Sequence, residues 1–156
     1  MVRILFICLG NICRSPMAEF VFKDIVEKSG ISDKFYVASA ATSFYEIGNP
    51  VHNGTAKILD GLGISYSKKR AIHLEKSDYE NYDYLICMDS ANVRDTLKIV
   101  GEDTEKKIHK LLEFVDSCED VADPWYTGDF DRTYKDVLIG CKGLLKYIEE
   151  REKTKE

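Results

Sequence analysis

The stretch VRILFICLGNICRSP, residues 2–16, predicts a buried strand, a tight loop and the start of a helix. Residues 2–8 are β-branched, aromatic and almost continuously apolar, which is typical of a strand that is covered on both faces in a parallel sheet. Ser15 followed by Pro16 has the composition of a helix N-cap and the first helical residue. We therefore expect a strand, a short loop and then a helix that stops at Gly30.

Strand-like and helix-like segments alternate along the rest of the chain. Apolar and β-branched runs predict strands over 35–39, 84–88 and 108–112, and apolar residues at helical spacing predict helices over 53–62, 92–100 and 131–150. Such alternation produces right-handed βαβ units and a parallel sheet with helices on both faces. Ligands bind such sheets beyond the carboxyl ends of the strands, which is where the first loop lies.

Length and composition limit the classes of protein that this chain can be. The 156 residues carry 22 Lys plus Arg against 27 Asp plus Glu, a net charge of -5, and 44% of them are hydrophobic. We expect one domain over residues 1–156, with a frayed tail at 151–156. The acidic balance argues against general nucleic-acid binding. Since the first apolar run is short and no run approaches about 18 residues, we expect a cytoplasmic protein that does not bind membranes.

The cysteines indicate reduced thiols. The chain has five cysteines, an odd number that argues against a disulfide framework, and their spacing matches no common zinc motif. We expect neither a structural metal nor a cofactor.

Cys8 and Arg14 form a C-x5-R motif that is followed by Ser15. The loop between them consists of Leu9, Gly10, Asn11, Ile12 and Cys13. A loop of this length curls round one tetrahedral oxyanion such as phosphate, because its successive backbone N–H groups point inward at a helix N-terminus. Arg14 adds a bidentate fork for two of the oxygens. Residues 9–14 are therefore the predicted phosphate-binding loop.

The same positive field acts on the Cys8 thiol. A cysteine beside a helix N-terminus and an arginine ionises more readily than a free one, so we expect Cys8 to be a thiolate and a nucleophile. The Ser15 hydroxyl can donate a hydrogen bond to that sulfur and favour its charged form.

Residues 2–19 resemble the N-terminal signature of the low-molecular-weight protein tyrosine phosphatases. The sequence DPWY at 123–126 resembles the DP[YFW] loop of that family, and the similarity extends from residue 2 to about 148. The resemblance implies an α/β fold, a three-layer α/β/α arrangement with a central four-stranded parallel sheet and a phosphate-binding loop after the first strand. It also implies a metal-independent hydrolase of phosphotyrosine and aryl phosphate monoesters, with Asp123 as the proton donor.

The chemistry of phosphoester hydrolysis gives the same role to Asp123. A phenolic leaving group needs a proton as its bond to phosphorus breaks, and a carboxylic acid near a dianionic substrate holds its proton more firmly. The reaction would pass through a phosphocysteine on Cys8, with Asp123 as acid and then as base. Asp123 could alternatively do no more than start a turn before Pro124. The expected partner is a phosphotyrosine protein, the expected inhibitors are phosphate-like oxyanions, and the expected state is a monomer.

The resemblance also indicates the sides of the substrate site. It places Tyr45, where relatives usually carry Trp, on one side and Trp125 with Tyr126 on the other, which suits a phosphotyrosine ring. Relatives that hydrolyse phosphoarginine carry Thr at the position of Ile12, so Ile12 favours phosphotyrosine. Residues 67–73 match the family only loosely and receive no binding role.

The remaining cysteines and the rival functions leave alternatives open. Cys13 is either a small loop residue or a redox partner that traps oxidised Cys8 as a disulfide, and the resemblance favours the second. Cys87 and Cys141 lie on apolar faces and are predicted core residues, whereas Cys118 has no assigned role. The alternative functions are a thiol-dependent arsenate reductase and a non-catalytic phosphate- or phosphopeptide-binding module.

Overall fold

The computed structural model describes residues 1–155 of the chain. The strands are β1 (Val2–Cys8), β2 (Phe35–Ala41), β3 (Tyr84–Cys87) and β4 (Ile108–Lys110). The helices are α1 (Arg14–Lys28), α2 (Asn53–Gly61), α3 (Asp78–Asn81), α4 (Ser90–Val100), α5 (Pro124–Thr127) and α6 (Phe130–Lys155). Two 3-10 turns occupy Ser32–Lys34 and Leu111–Val115.

The four strands form one parallel sheet in the order β2-β1-β3-β4. After β1 the chain adds β2 on one side of it, and then crosses to add β3 on the other side. The direction of winding therefore changes at β1. In open α/β sheets this change creates a crevice in which ligands bind. Cys8, the last residue of β1, lies at that point opposite Ala41 of β2.

Alternate residues of β1 enter two separate cores. Ile4 and Phe6 pack in the core on the side of α1 and α6, while Leu5 and Ile7 pack in the core on the opposite side. This alternation follows from the two-residue period of a strand that is covered on both faces. The arrangement confirms the predicted three-layer α/β/α fold with a four-stranded parallel sheet.

The predicted start of the first helix is wrong by two residues, and the reason bears on function. The helix begins at Arg14 with Cys13 as its N-cap, instead of beginning at Pro16 with Ser15 as its cap. The Ser15 hydroxyl contacts the Cys8 sulfur and the Asn11 amide, so it does not cap the helix. The helix ends near Gly30 as predicted.

Other boundaries differ by a few residues. β2 continues to Ala41, because its last residues pair with the end of β1, and β4 ends at Lys110, where the 3-10 turn begins. α4 begins two residues early because the Asp89 side chain caps it in a capping box with Asn92. α6 continues to Lys155, beyond the predicted end, while Glu156 of the predicted frayed tail lies outside the described residues.

Two short helices, α3 and α5, were not predicted, because four residues are too few for a periodic pattern to be visible.

Within residues 1–155, no helix combines the length and the apolar character needed to span a bilayer.

Candidate active site

The loop of residues 9–13 joins the end of β1 directly to the first residue of α1. The free N–H groups and the positive end of α1 therefore face the loop. Asn11 has a φ of 59°, the left-handed conformation that Asn tolerates better than most residues. Asn11 and Arg14 are only 1% and 3% exposed, whereas Leu9 is 46% exposed.

Cys8 lies at the bottom of this loop with its sulfur held by two neighbours. Its Sγ is 2.9 Å from Ser15 Oγ and accepts a hydrogen bond from the backbone N–H of Asn11 at 3.3 Å. An N–H donor and a hydroxyl at these positions stabilise negative charge on sulfur. The side chain is buried, so the thiol reaches solvent only through the cleft above the loop.

The Asn11 side chain determines which way the hydrogen bonds to Cys8 run. Asn11 Oδ1 accepts from the backbone N–H of Ile72 at 3.2 Å, so its Nδ2 must be the end that faces Ser15 and Ser39. Nδ2 donates to Ser15 Oγ at 2.7 Å. The Ser15 hydroxyl hydrogen is then free to point at Cys8, and Ser15 acts as a donor to the sulfur.

A buried carboxylate anchors the far end of this network. Ser39 Oγ donates to Glu19 Oε1 at 2.6 Å and accepts from Asn11 Nδ2 at 2.9 Å. Lys69 Nζ lies 3.6 Å from Glu19 and donates to the Ser39 carbonyl at 2.8 Å. Burial lowers the pKa of Lys69, and the negative charge of Glu19 opposes that shift. Residues 67–73, which received no role from the sequence, therefore support the loop through Lys69 and Ile72.

Arg14 is fixed by three acceptors. Its NH2 lies 2.8 Å from Asp89 Oδ2 and 3.4 Å from Asp123 Oδ2, while NH1 donates to the Val121 carbonyl at 3.1 Å. Burial disfavours the charged guanidinium, but the negative charges of Cys8, Asp123 and Asp89 outweigh burial and raise the pKa of Arg14. Arg14 is therefore a permanently charged and well-oriented group beside the loop.

Asp123 lies at the start of α5, where its two carboxylate oxygens have different partners. Oδ1 accepts from the backbone N–H of Trp125 at 3.0 Å and caps the helix, and Pro124 takes the first helical position. Oδ2 faces Arg14. The turn-starting role and the position expected of a proton donor above the loop therefore occur together in one side chain.

A cleft of about 280 Å³ opens above the loop. Its lining comprises Cys8, Leu9, Gly10, Asn11, Ile12, Cys13, Arg14, Ser43, Tyr45, Glu46, Asp123, Trp125 and Tyr126. Thus all the predicted cleft residues are brought together, and Ser15 lies directly beneath through its contact with Cys8.

Sequence reasoning missed several contributors to the site. Ser43 Oγ donates to the Leu9 carbonyl at 2.8 Å, and Glu46 lies on the cleft close enough to Gly10 that a Cβ there would meet its Cγ at 3.4 Å. Their position in the same loop as Tyr45 was the only available indication. Asp89, which immediately precedes α4, is an ion-pair partner of Arg14.

Cys13 is the second thiol on the cleft. Burial and the nearby Cys8 charge raise its pKa to about 12, and Thr55 Oγ1 donates to its carbonyl at 3.1 Å. Cys87 and Cys141 are fully buried, as predicted, and Cys118 is exposed. In the described part of the chain, no three His, Cys, Asp or Glu side chains are grouped as metal ligands.

A cysteine and an arginine that enclose a loop at a helix N-terminus, after the first strand of a parallel sheet, define the phosphate site of a cysteine-dependent phosphatase. The family model "Low molecular weight phosphotyrosine protein phosphatase" matches residues 3–154. The chain belongs to this family of cysteine-dependent protein-tyrosine-phosphatases, which confirms the class predicted from the sequence.

Individual relatives are similar over their whole length. The low molecular weight protein-tyrosine-phosphatase YfkJ of Bacillus subtilis is 39% identical over 154 residues, which cover 97% of this chain and 99% of that protein. PtpA of Staphylococcus epidermidis is 40% identical over 157 aligned positions, covering 100% of this chain and 99% of the relative.

Solved structures agree with the sequence relatives. The crystal structure of Bacillus subtilis YfkJ matches with a TM-score of 0.93 at 40% identity, covering 97% of this chain and 96% of that one. The phosphatase SP-PTP of Streptococcus pyogenes matches with a TM-score of 0.84 at 42% identity, covering 94% and 93%.

Proposed function

We propose that the protein hydrolyses phosphotyrosine in proteins, and aryl phosphate monoesters, through a phosphocysteine intermediate on Cys8. The observation that carries this proposal is the directed hydrogen-bond network in which Asn11 orients Ser15 as a donor to the Cys8 sulfur. A purely structural thiol would not need such a network. Family membership supports the same activity.

In the first step, the Cys8 thiolate attacks phosphorus in line with the phenolic leaving group. The S–P bond forms as the P–O bond breaks, and protonated Asp123 gives its proton to the departing phenolate oxygen. Arg14 and the inward-facing N–H groups of residues 9–14 stabilise the charge on the three remaining oxygens. The products of this step are a phenol and a phosphocysteine.

In the second step, water attacks the phosphorus of the phosphocysteine. Asp123, now a carboxylate, accepts the proton from water while the S–P bond breaks. Ser15 donates to the departing Cys8 sulfur, which makes it a better leaving group. Inorganic phosphate leaves, and the thiolate and the protonated Asp123 are restored.

The cleft shape favours an aromatic phosphoester. Cys8 is buried in a cleft whose lining includes Tyr45, Trp125 and Tyr126. A phosphotyrosine ring spans such a cleft between aromatic surfaces, whereas the shorter side chain of phosphoserine would not bring its phosphate to the loop. Protein-bound phosphotyrosine is therefore the proposed substrate.

The two rival functions fit less well. An arsenate reductase relay needs two further mobile thiols, but Cys87 and Cys141 are fully buried and Cys118 lies outside the cleft. A binding module would have no use for Asp123 beside Arg14 at the cleft mouth.

We propose that phosphate-like oxyanions inhibit by occupying the loop, and that Cys13 captures oxidised Cys8 as a disulfide, since both line the cleft. We also propose a cytoplasmic monomer, and the five free cysteines fit a reducing compartment. Light scattering after size exclusion tests the monomer.

The activity is tested with an aryl phosphate in the presence of a chelator. We expect release of the phenol with an initial burst equal to the concentration of active sites, and no turnover by Cys8→Ser. Activity that survives Cys8→Ser, or that requires added metal, would contradict the phosphocysteine mechanism.

A further inference from the structure

Exposed apolar side chains are concentrated around the cleft. Four of them line it: Leu9, Tyr45, Trp125 and Tyr126. Three more, Phe44, Ile47 and Ile72, lie on neighbouring segments outside the lining and are 75%, 41% and 51% exposed. Clustered exposed apolar surface, unlike single exposed hydrophobic residues, indicates a site of interaction.

The second group lies on two segments that are joined to each other by the backbone. The loop at 43–48 is joined to the segment at 70–73, because Gly48 N donates to the Ala71 carbonyl at 2.9 Å. The Phe44 ring stacks on the His73 ring with centroids 3.8 Å apart and planes within 3°. We call Phe44, Ile47, Ile72 and His73 the aromatic platform.

His73 holds the platform in place. Its backbone pairs with Ala41 at the end of β2, and its Nε2 contacts the Thr42 carbonyl at 3.2 Å. Phe44 is thus exposed, yet it stacks against the His73 ring, which is held by its backbone pairing and by its Nε2 contact. A group ordered before binding loses little further conformational entropy when a ligand covers it.

Phe44 of the platform adjoins the catalytic cleft along the chain. Ser43 and Tyr45, the neighbours of Phe44 in the chain, both line the cleft. A polypeptide whose phosphotyrosine occupies the cleft brings its adjacent residues to the cleft mouth, within reach of the loop that carries Phe44. The surface that these residues would meet is apolar and stays exposed without them.

We propose that the aromatic platform binds an apolar side chain next to the phosphotyrosine of the protein substrate. This inference rests on the proposed phosphotyrosine phosphatase function and adds a sequence preference to it. Contact of an aliphatic side chain with the exposed Phe44 ring removes apolar surface on both partners from water. Substrates with acidic side chains at the same place gain nothing from the platform.

Matched phosphopeptides test the platform. One peptide carries Leu on both sides of the phosphotyrosine, a second carries Asp there, and phenyl phosphate serves as the substrate without flanking residues. For the native protein we expect kcat/KM to be about tenfold higher for the Leu peptide than for the Asp peptide, in line with partial burial of a leucine. Phe44→Ala should remove most of that preference and leave phenyl phosphate hydrolysis unchanged, because Phe44 does not line the cleft.

A matched control distinguishes the platform from general surface hydrophobicity. Ile139 on α6 is 49% exposed and does not line the cleft, so Ile139→Ala should leave the peptide preference intact. Equal rates on the two peptides, or a preference that survives Phe44→Ala, would overturn the platform. A Phe44→Ala change that alters only self-association in sedimentation would point to a second copy as the occupant and would also overturn it. If the native protein does not hydrolyse phenyl phosphate, the proposed function itself is overturned.

Discussion

Asp89 Oδ2 lies 2.8 Å from the guanidinium of Arg14, while Asp89 Oδ1 accepts from the backbone N–H of Asn92 and caps α4. One carboxylate therefore connects the phosphate-binding arginine to the helix that follows β3. The pair is nearly buried, since the Arg14 side chain is 4% and the Asp89 side chain 18% exposed. In such surroundings a carboxylate partner compensates the buried charge of an arginine and fixes its direction.

Asp89→Asn should weaken phosphate binding while preserving the helix cap. The amide oxygen of Asn can still accept from Asn92, but the charge that faces Arg14 is lost. A hydrogen bond to a charged group contributes about 1.5–3 kcal/mol, so we expect a loss of roughly 10- to 100-fold in kcat/KM and a weaker inhibition constant for inorganic phosphate. Asp120→Asn, at an exposed pair with Lys110, is the control and should change neither constant. Unchanged phosphate inhibition in Asp89→Asn would show that Arg14 is oriented by its other partners.

Asp123→Asn should produce a loss that depends on the leaving group. Asn can still accept from Trp125 and cap α5, so the loop keeps its conformation but has no proton to give. We expect kcat to fall by about 100-fold or more on phenyl phosphate and by much less on an aryl phosphate whose phenol is acidic. Rates measured on a series of aryl phosphates test this, and a loss of equal size across the series would contradict the acid role.

The phosphate-binding loop could be predicted from the sequence because its residues are neighbours in the chain. Cys8 and Arg14 belong to one uninterrupted motif, and the strand before it and the helix after it have clear periodic patterns. The supporting residues could not be predicted in this way. Asp89 and Lys69 reach the motif only after the sheet has formed, from positions far along the chain, and no spacing rule relates them to it.

The start of α1 illustrates the same limit. Ser15 before Pro16 has the composition of a helix cap, but tertiary contacts with Cys8 and Asn11 take up its hydroxyl. The local rule failed at a residue that the active site uses. Such conflicts between local preference and the final structure are expected at functional sites.

His52 connects the phosphate loop to the segment that follows Asp123. Its backbone N–H donates to the Ile12 carbonyl at 2.9 Å, and its Nδ1 accepts from Gly54 N at 3.1 Å to cap α2. The ring stacks on Phe130 with centroids 5.3 Å apart and meets Trp125 edge-on at 6.1 Å. A Cβ at Gly54 would lie 2.3 Å from the Phe130 ring, so glycine is needed for this packing.

Two substitutions should separate the ring of His52 from its cap. His52→Asn keeps a capping acceptor but removes the ring from Trp125, so we expect kcat on phenyl phosphate to fall about threefold to tenfold, with little change for an acidic phenol. His52→Phe keeps the stacking and loses the cap, which is worth about 0.5–2 kcal/mol, so Tm should fall while the leaving-group dependence stays native. If both variants show the same kinetic change, the ring does not position the Asp123 loop.

Cys13 should make oxidation of Cys8 reversible, and more so at higher pH. Peroxide converts the Cys8 thiolate to a sulfenic acid with loss of water, and the Cys13 sulfur can then attack that sulfur, displace a second water and form a disulfide. Only the thiolate of Cys13 attacks well, and burial, the largest cause of its raised pKa, remains when oxidation removes the Cys8 charge. Below its pKa the thiol is mostly neutral, so its thiolate fraction, and with it the rate of disulfide formation, rises with pH between 7 and 9 by up to about tenfold for each pH unit. We expect native protein inactivated by peroxide to regain most of its activity with a dithiol, and to regain more after oxidation at pH 9 than at pH 7.

Cys13→Ser should regain little at either pH, while Cys118→Ser, which changes an exposed thiol, should behave like the native protein. Full recovery of Cys13→Ser would mean that another thiol, or the sulfenic acid itself, protects Cys8.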